Sequence, residues 1–100
     1  MTYSEKMAAN KRNHDIRKAH NIFANMNVDF ENDLDRGGIN PTALVPASDH
    51  VFLMNVFQNS YPIEFENHMN YYTTQGVELS WGSQFDTKDG PVVDATLKII

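Results

Sequence analysis

Residues 77–99 read VELSWGSQFDTKDGPVVDATLKI, so that apolar and polar side chains alternate on both sides of an Asp-Gly turn. Before the turn, Val77, Leu79 and Trp81 occupy every second position, and a second alternating run follows it. A period of two is typical of a half-buried strand, and Asp-Gly between two such runs is a strong short-range hairpin signal. The sequence therefore predicts a C-terminal antiparallel hairpin, with Trp81 on its inner face.

A long amphipathic helix is predicted ahead of the hairpin, from Thr2 to about Met26 or a little beyond. Thr2 and Glu5 have the spacing of a capping box, which marks a helix N-terminus. Apolar side chains then recur at steps of three and four and form one stripe, namely Ile16, Ala19, Phe23 and Met26. Because two strands alone are marginally stable, we expect this helix to lie across the apolar face of the hairpin.

The residues that follow the long helix carry weaker patterns. Pro41 and Pro46 predict that residues 37–48 form a connection, since each proline removes a backbone donor and restricts the residue before it. The apolar residues 51–57 favour a short helix, although a buried strand has the same composition.

A further short helix is predicted before the hairpin. Ser60 ahead of Pro62 is a helix-start signal, and Gly76 is a helix-end signal. Taken together, the patterns predict one compact α+β domain over residues 1–100. It consists of a long N-terminal amphipathic helix and one or two short helices, packed on a C-terminal antiparallel β-hairpin or small sheet.

The amino-acid composition excludes several kinds of functional site. The 100 residues include no cysteine, which excludes disulfide scaffolds, thiolate metal sites and cysteine nucleophiles. The longest apolar run, residues 51–54, is far shorter than the ~20 residues that a membrane-spanning helix needs. We therefore expect a soluble, cytoplasmic protein without a membrane partner. Because no phosphate loop, nucleophile elbow or paired-histidine motif occurs, we expect neither a cofactor nor a metal.

Charge is distributed unevenly along a chain of net charge −5. Residues 1–20 hold five basic and two acidic residues, giving +3, whereas residues 21–100 hold three basic and eleven acidic residues, giving −8. Helical spacing places a basic group opposite the apolar stripe, made of Lys11, His14, Arg17 and Lys18. Side chains of this kind contact phosphates and base edges, so this face is a candidate nucleic-acid-binding surface.

An acidic series follows the basic face, with Asp29, Glu31, Asp33 and Asp35 at alternate positions. In an extended segment all four carboxylates share one face, whereas in a helix or loop they scatter. We interpret them as a candidate partner-binding patch, with a solvated acidic segment as the alternative. Tyr71 and Tyr72, expected to be exposed, are added to this surface because tyrosine is enriched at interfaces.

Glu64 and His68 are spaced four residues apart within the predicted short helix. A carboxylate at this spacing can orient an imidazole for acid–base chemistry or contribute to a metal site. The ordinary alternative is an exposed helical pair of small energetic value.

No complete catalytic or cofactor constellation emerges from these residues. The leading hypothesis is a small non-enzymatic interaction protein that binds a protein partner and regulates or inhibits it, and a phage-encoded inhibitor of a host system fits this description. The first alternative is a nucleic-acid-binding accessory protein that uses the basic helix. The second is a small enzyme or metal-binding protein built on Glu64 and His68. The apolar C-terminal strand leaves a homodimer open.

Overall fold

A computed structural model describes residues 1–100 and confirms the α+β class. In chain order the elements are α1 Tyr3–Asp35, β1 Thr42–Pro46, α2 over residues 47–60, α3 Pro62–Thr74, β2 Val77–Thr87 and β3 Gly90–Ile99. The strands form one antiparallel sheet in the order β1-β3-β2. The inner face of this sheet packs against α1, and both short helices complete the core.

The predicted capping box opens α1. The Thr2 hydroxyl accepts a hydrogen bond from the Glu5 amide at 3.2 Å, and the Glu5 carboxylate accepts one from the Thr2 amide at 3.4 Å. The helix continues to Asp35, past the predicted end, because Phe30 keeps the apolar stripe in register and is buried like Phe23 and Met26.

The first third of α1 projects beyond the core. A helix of 33 residues is about 50 Å long at 1.5 Å per residue, and the longest dimension of the molecule is 53 Å. Every side chain in residues 3–14 is exposed, and Asp15 is the first buried residue of the helix. The helix therefore buries side chains against the rest of the protein only from Asp15 onward.

The C-terminal hairpin is confirmed, with β2 and β3 paired from Val77↔Ile99 to Thr87↔Gly90. Trp81 pairs with Ala95 and packs against the buried core, as predicted. The register shifts between Trp81 and Gln84, which marks a bulge in β2.

The prediction of a connection over residues 37–48 is wrong in part, because this stretch contains β1. Ala43 and Val45 pair with Ala95 and Val93 of β3, and both side chains are buried. Pro46 is compatible with the strand because β1 lies at the edge of the sheet. An edge strand has a neighbour on one side only, so a missing backbone N–H donor is tolerated there.

The helical preference of residues 51–57 is confirmed, and α2 has an unusual middle. It begins as an α-helix over Ala47–Val51, continues as a π-helix over Phe52–Phe57 and ends as an α-helix over Gln58–Ser60. The Gln58 amide donates to the Leu53 carbonyl, five residues back, as a π-helix requires. Leu53 and Phe57 are both fully buried on this segment.

The predicted start and end of the last helix are also confirmed. Pro62 occupies the first position of α3, where its missing donor is harmless. Gly76, at φ 79°, lies in the left-handed region two residues after the helix ends at Thr74. Neither this helix nor α1 or α2 combines the length and the apolar composition that a membrane crossing requires.

Phe57 is predicted to be a principal stabilising residue, because its ring is 0% exposed between α1, α2 and α3. Phe57→Ala should lower the free energy of unfolding by about 3–5 kcal/mol through lost burial and cavity formation. The matched variant Phe85→Ala, at a position that is 43% exposed, should cost about 1 kcal/mol or less. Urea unfolding followed by circular dichroism measures both, and equal losses would contradict the packing described.

Candidate functional site

An apolar groove of about 340 Å³ lies at the end of the molecule where α1 and α3 finish. Its apolar lining comes from helices, strands and the loop after α1, and includes Leu34, Ile39, Pro41, Tyr71, Val77 and Ile99. Leu34, Ile39, Tyr71 and Ile99 remain at least half exposed to solvent. Contiguous exposed apolar surface of this kind is typical of an interaction site.

The loop that carries Ile39 is held in place by Asp33. Gly37, at φ 88°, turns the chain away from α1. The backbone carbonyl of Asp33 then accepts a hydrogen bond from the Gly38 amide at 2.9 Å, and its carboxylate accepts one from the Thr42 amide at 2.9 Å. These bonds join the end of α1 to the start of β1 and so define one wall of the groove.

The two predicted interface tyrosines lie in different environments. Tyr71 is half exposed at the groove, as expected, and its ring contacts that of Tyr72 edge-on at 5.5 Å. The expectation for Tyr72 is wrong, because this residue is only 3% exposed. Its hydroxyl donates to Asn27 Oδ1 at 2.7 Å, its ring packs edge-on against Phe30, and burial raises its pKa above the ordinary value.

The four predicted interface acids do not share one face, because α1 continues through the whole series. Asp29 and Asp33, four residues apart, line a depression beside β1. Glu31 lies on another side of the helix and is the one charged residue that lines the groove, with Asp35 exposed one turn further along. The structure therefore divides the acidic series into two pairs and brings one residue, Glu31, into the lining of the groove.

Asp33 differs from the other three acids because it is bonded within the fold. Its carboxylate accepts from the Thr42 amide and forms an ion pair with Arg36. These two contacts, the Thr42 hydrogen bond first, lower the pKa of Asp33 below its ordinary value, against a smaller opposing effect of burial. Asp33 thus serves as a structural anchor as well as a surface acid.

The predicted nucleic-acid-binding residues remain on the surface of α1. His14, Arg17 and Lys18 line a depression together with Asn21 and Asn25. The ammonium of Lys18 also lies 4.4 Å from the centre of the Phe52 ring, a cation–π contact.

Lys11, the fourth predicted basic residue, forms an ion pair with Asp15 at 3.1 Å, and this pair raises the pKa of Lys11. Asp15 is buried and also accepts a hydrogen bond from the Tyr61 hydroxyl at 2.9 Å. Burial raises the pKa of Asp15, but the bonds from Lys11 and Tyr61 together bring it below the ordinary value. Lys11 therefore has an ion-pair partner on its own helix, although its side chain is 72% exposed.

Glu64 and His68 share a helix but do not form a pair. The Glu64 carboxylate accepts instead from the guanidinium of Arg12, at 2.5 Å. The His68 ring stacks on Phe23 with 4.3 Å between centroids, and burial followed by the nearby His20 lowers the pKa of His68. No three histidine, aspartate or glutamate side chains lie close enough together to hold a metal ion.

Several residues that line the groove or a second cleft were not identified from the sequence. Ile39 has no local motif, whereas Ile99 belongs to the alternating run of the last strand and Leu34, four residues after Phe30, extends the apolar stripe of α1. A second, polar cleft brings Arg12 and His20 of α1 next to α3. Such groupings depend on contacts between elements that are distant in the chain.

Comparison with known proteins assigns the chain to no family. No protein-family model, no curated protein and no solved structure matches it. The groove is characterised by its own chemistry alone. It is apolar and exposed, and Glu31 is its one charged side chain.

Asp33 is predicted to make the free energy of unfolding depend on pH in the acid range. Because its pKa is lowered in the folded state, its contribution is present above the unfolded pKa, about 3.9, and is lost as the pH falls through the lower folded value. Asp33→Asn should lower the urea midpoint at pH 7, and the difference from the unmodified protein should shrink under acid conditions.

The matched control is Asp35→Asn, because Asp35 takes part in none of the three ion pairs of the chain. Its urea midpoint should stay close to that of the unmodified protein at both pH values. A loss for Asp35→Asn as large as for Asp33→Asn would show that general charge, and not the Thr42 and Arg36 contacts, is responsible.

Proposed function

We propose that the protein is a small non-enzymatic interaction protein that binds a protein partner in the apolar groove and thereby regulates or blocks that partner. The single observation that carries this proposal is the exposure of Leu34, Ile39, Tyr71 and Ile99 around one cavity. Burial of this surface against a partner removes apolar area from water, which is the main driving force of protein association.

The charge around the groove favours a partner with basic residues. Glu31 is the only charged lining residue, Asp35 lies one turn further along α1, and residues 21–100 carry −8 in total. Electrostatic complementarity chiefly speeds association and selects the partner. The favoured occupant is a protein segment with large apolar side chains flanked by lysine or arginine.

The size of the groove limits how much of the partner enters it. A volume of about 340 Å³ is at the small end of ligand sites, which range over about 300–1,000 Å³. We infer that one or two large apolar side chains of the partner insert into the groove. The surfaces of the two proteins then contact each other around it. Few buried anchors carry most of the binding energy in many protein interfaces.

The aromatic wall of the groove is already ordered before binding. The hydrogen bond from Tyr72 to Asn27 holds the inner ring, and this ring supports Tyr71 at the rim. Tyr71 therefore offers a large contact area with little conformational entropy left to lose. Pre-organisation of this kind increases affinity because fewer side chains must be immobilised on binding.

Ile39→Glu is predicted to abolish partner binding, because it places a carboxylate in the groove next to Glu31. The matched variant Ile63→Glu, on α3 outside the groove, should retain it; the two isoleucines are 83% and 74% exposed, so neither change disturbs the core. Proteins captured by each variant from lysate with and without nuclease treatment are compared by quantitative mass spectrometry. The selected protein is then purified and titrated by calorimetry.

The expected calorimetric result is a loss of affinity of at least about tenfold for Ile39→Glu, since an unpaired charge in an apolar site costs well over 1.4 kcal/mol. Equal capture and equal affinity for the two variants would exclude the groove as the binding site. Capture that disappears with nuclease would favour nucleic acid and the basic face of α1 over a protein partner.

Glu31→Lys is predicted to slow association with the purified partner, because it reverses the charge at the groove. Glu66→Lys, at an exposed position on α3, changes the net charge by the same amount away from the groove. Stopped-flow association rates at low salt should fall more for Glu31→Lys, and the gap should close as salt screens the interaction. Identical rates for the two variants would show that the net charge of the protein, and not the position of Glu31, controls the association rate.

A further inference from the structure

A polar cleft of about 510 Å³ lies between α1 and α3, apart from the apolar groove. Nitrogen-bearing side chains of both helices form most of its lining, namely Arg12, Asn13, Arg17 and His20 of α1 with Asn67 and His68 of α3. Ile16 is its one apolar residue, and Glu64 its one carboxylate. The two helices thus bring together donors that are more than 40 residues apart in sequence.

The charges in this cleft do not balance internally. Glu64 is occupied by the 2.5 Å contact with Arg12. Arg17, His20 and His68 take part in none of the three ion pairs of the chain. The cleft is therefore a positive region in a protein whose net charge is −5, and Arg17 is its uncompensated cation.

The walls of the cleft are held by aromatic packing. The His68 ring lies face to face with Phe23 and edge-on to Phe57, at centroid distances of 4.3 Å and 5.9 Å. The guanidinium of Arg12, fixed by Glu64, lies 5.9 Å from the centre of the Tyr61 ring. Of the proposed donors, His68 is thus positioned in advance and loses little entropy when a ligand binds.

We propose that this cleft binds a phosphate-type oxyanion, with Arg17 as the principal cation, His20 and His68 as neighbouring imidazole donors, and the amides of Asn13 and Asn67 completing the site. The planar guanidinium presents paired N–H donors that match two oxygens of a phosphate. Imidazole N–H and amide NH₂ groups supply further donors to the remaining oxygens. This inference does not depend on the apolar groove or its partner.

Phosphate oxygens could reach the cleft from two sources, a phosphate monoester such as a nucleotide or the phosphodiester backbone of a nucleic acid. The depression on the other side of Arg17 adds His14, Lys18 and Asn21 as donors. A nucleic-acid strand would contact both regions across α1, whereas a small phosphate needs only the cleft. Lys18 therefore distinguishes the two sources.

For an anion of fixed charge, binding should tighten as the pH falls. The groups that share the cleft with His68 are Arg12, Arg17 and His20 of α1 and Glu64 of its own helix, while α2 contributes the ring of Phe57. Burial and then His20 lower the pKa of His68, so the empty site disfavours the imidazolium form. An anion favours the imidazolium, so by linkage its binding raises that pKa.

The experiment titrates the full-length ¹⁵N-labelled protein with inorganic phosphate near pH 6, at constant ionic strength set with sodium chloride. Saturable shifts are expected for the amide and imidazole signals of the cleft residues. Arg17→Gln should weaken phosphate binding by about tenfold, since a charge-assisted bidentate contact is lost. The matched control Lys6→Gln, on the projecting part of α1, should leave the affinity unchanged.

Glu64→Gln supplies a second variant with the opposite expected effect. It removes the one carboxylate of the cleft and releases Arg12, so phosphate binding should become tighter. An imidazole titration with and without phosphate should also show a raised pKa of His68 in the bound state. Adenosine monophosphate and an oligothymidylate strand are then compared, with Lys18→Gln expected to weaken only the strand if nucleic acid is the source.

The proposal is overturned if phosphate produces no saturable shift, or if Arg17→Gln and Lys6→Gln weaken binding equally, since the effect would then be one of overall charge. It is also overturned if Glu64→Gln weakens binding, or if phosphate leaves the His68 titration unchanged. Ile39→Glu should leave phosphate binding intact, so failure of the groove proposal and failure of this one are distinguishable.

Discussion

The burial of one apolar stripe of α1 is the interaction on which the other elements depend. Ala19, Phe23, Met26 and Phe30 lie along this stripe, and the sheet and the two short helices all bury their apolar residues against it. Because only the later turns of a 33-residue helix carry the stripe, the core forms around those turns and the first turns project. The same helix therefore contributes to the core, to the groove at its end and to the cleft nearer its middle.

The two proposed sites have opposite chemistry because they lie at different positions along α1. The cleft uses residues from Arg12 to His20, and the groove uses residues from Asn27 to Leu34, an offset of about 20 Å at 1.5 Å per residue. The basic part of the chain faces the cleft and the acidic part borders the groove. If both proposals hold, the separate positions and opposite charge would let a phosphate and a protein partner bind without competing.

Asp15 links the basic part of α1 to the core. It is the one buried charged side chain, and it accepts bonds from Lys11 on its own helix and from Tyr61, the residue between α2 and α3. A buried carboxylate is tolerated only where such partners compensate for its lost hydration. These contacts fix α1 against the α2–α3 junction, and Arg12 with Glu64 adds a second contact between α1 and α3.

Local sequence patterns were sufficient for the capping box, the α1 stripe, the C-terminal hairpin and the limits of α3, because each depends on neighbours in the chain. They were insufficient for β1, since a five-residue edge strand that follows Pro41 and ends at Pro46 has a local pattern close to that of a loop. Its strand geometry depends on its pairing with β3, about 50 residues later.

The candidate sites show the same difference between what local sequence patterns predict and what contacts between distant elements decide. Residue types and helical spacing identified Glu31, Tyr71 and Arg17 as surface candidates, and net charge indicated a basic and an acidic part of the chain. Only the tertiary structure decided that Tyr72 is buried, that Glu64 pairs with Arg12, and that Ile39 and Ile99 meet at one groove. The physical reason is that helical periodicity orders residues along one element, whereas burial and ion pairing depend on which other element packs against it.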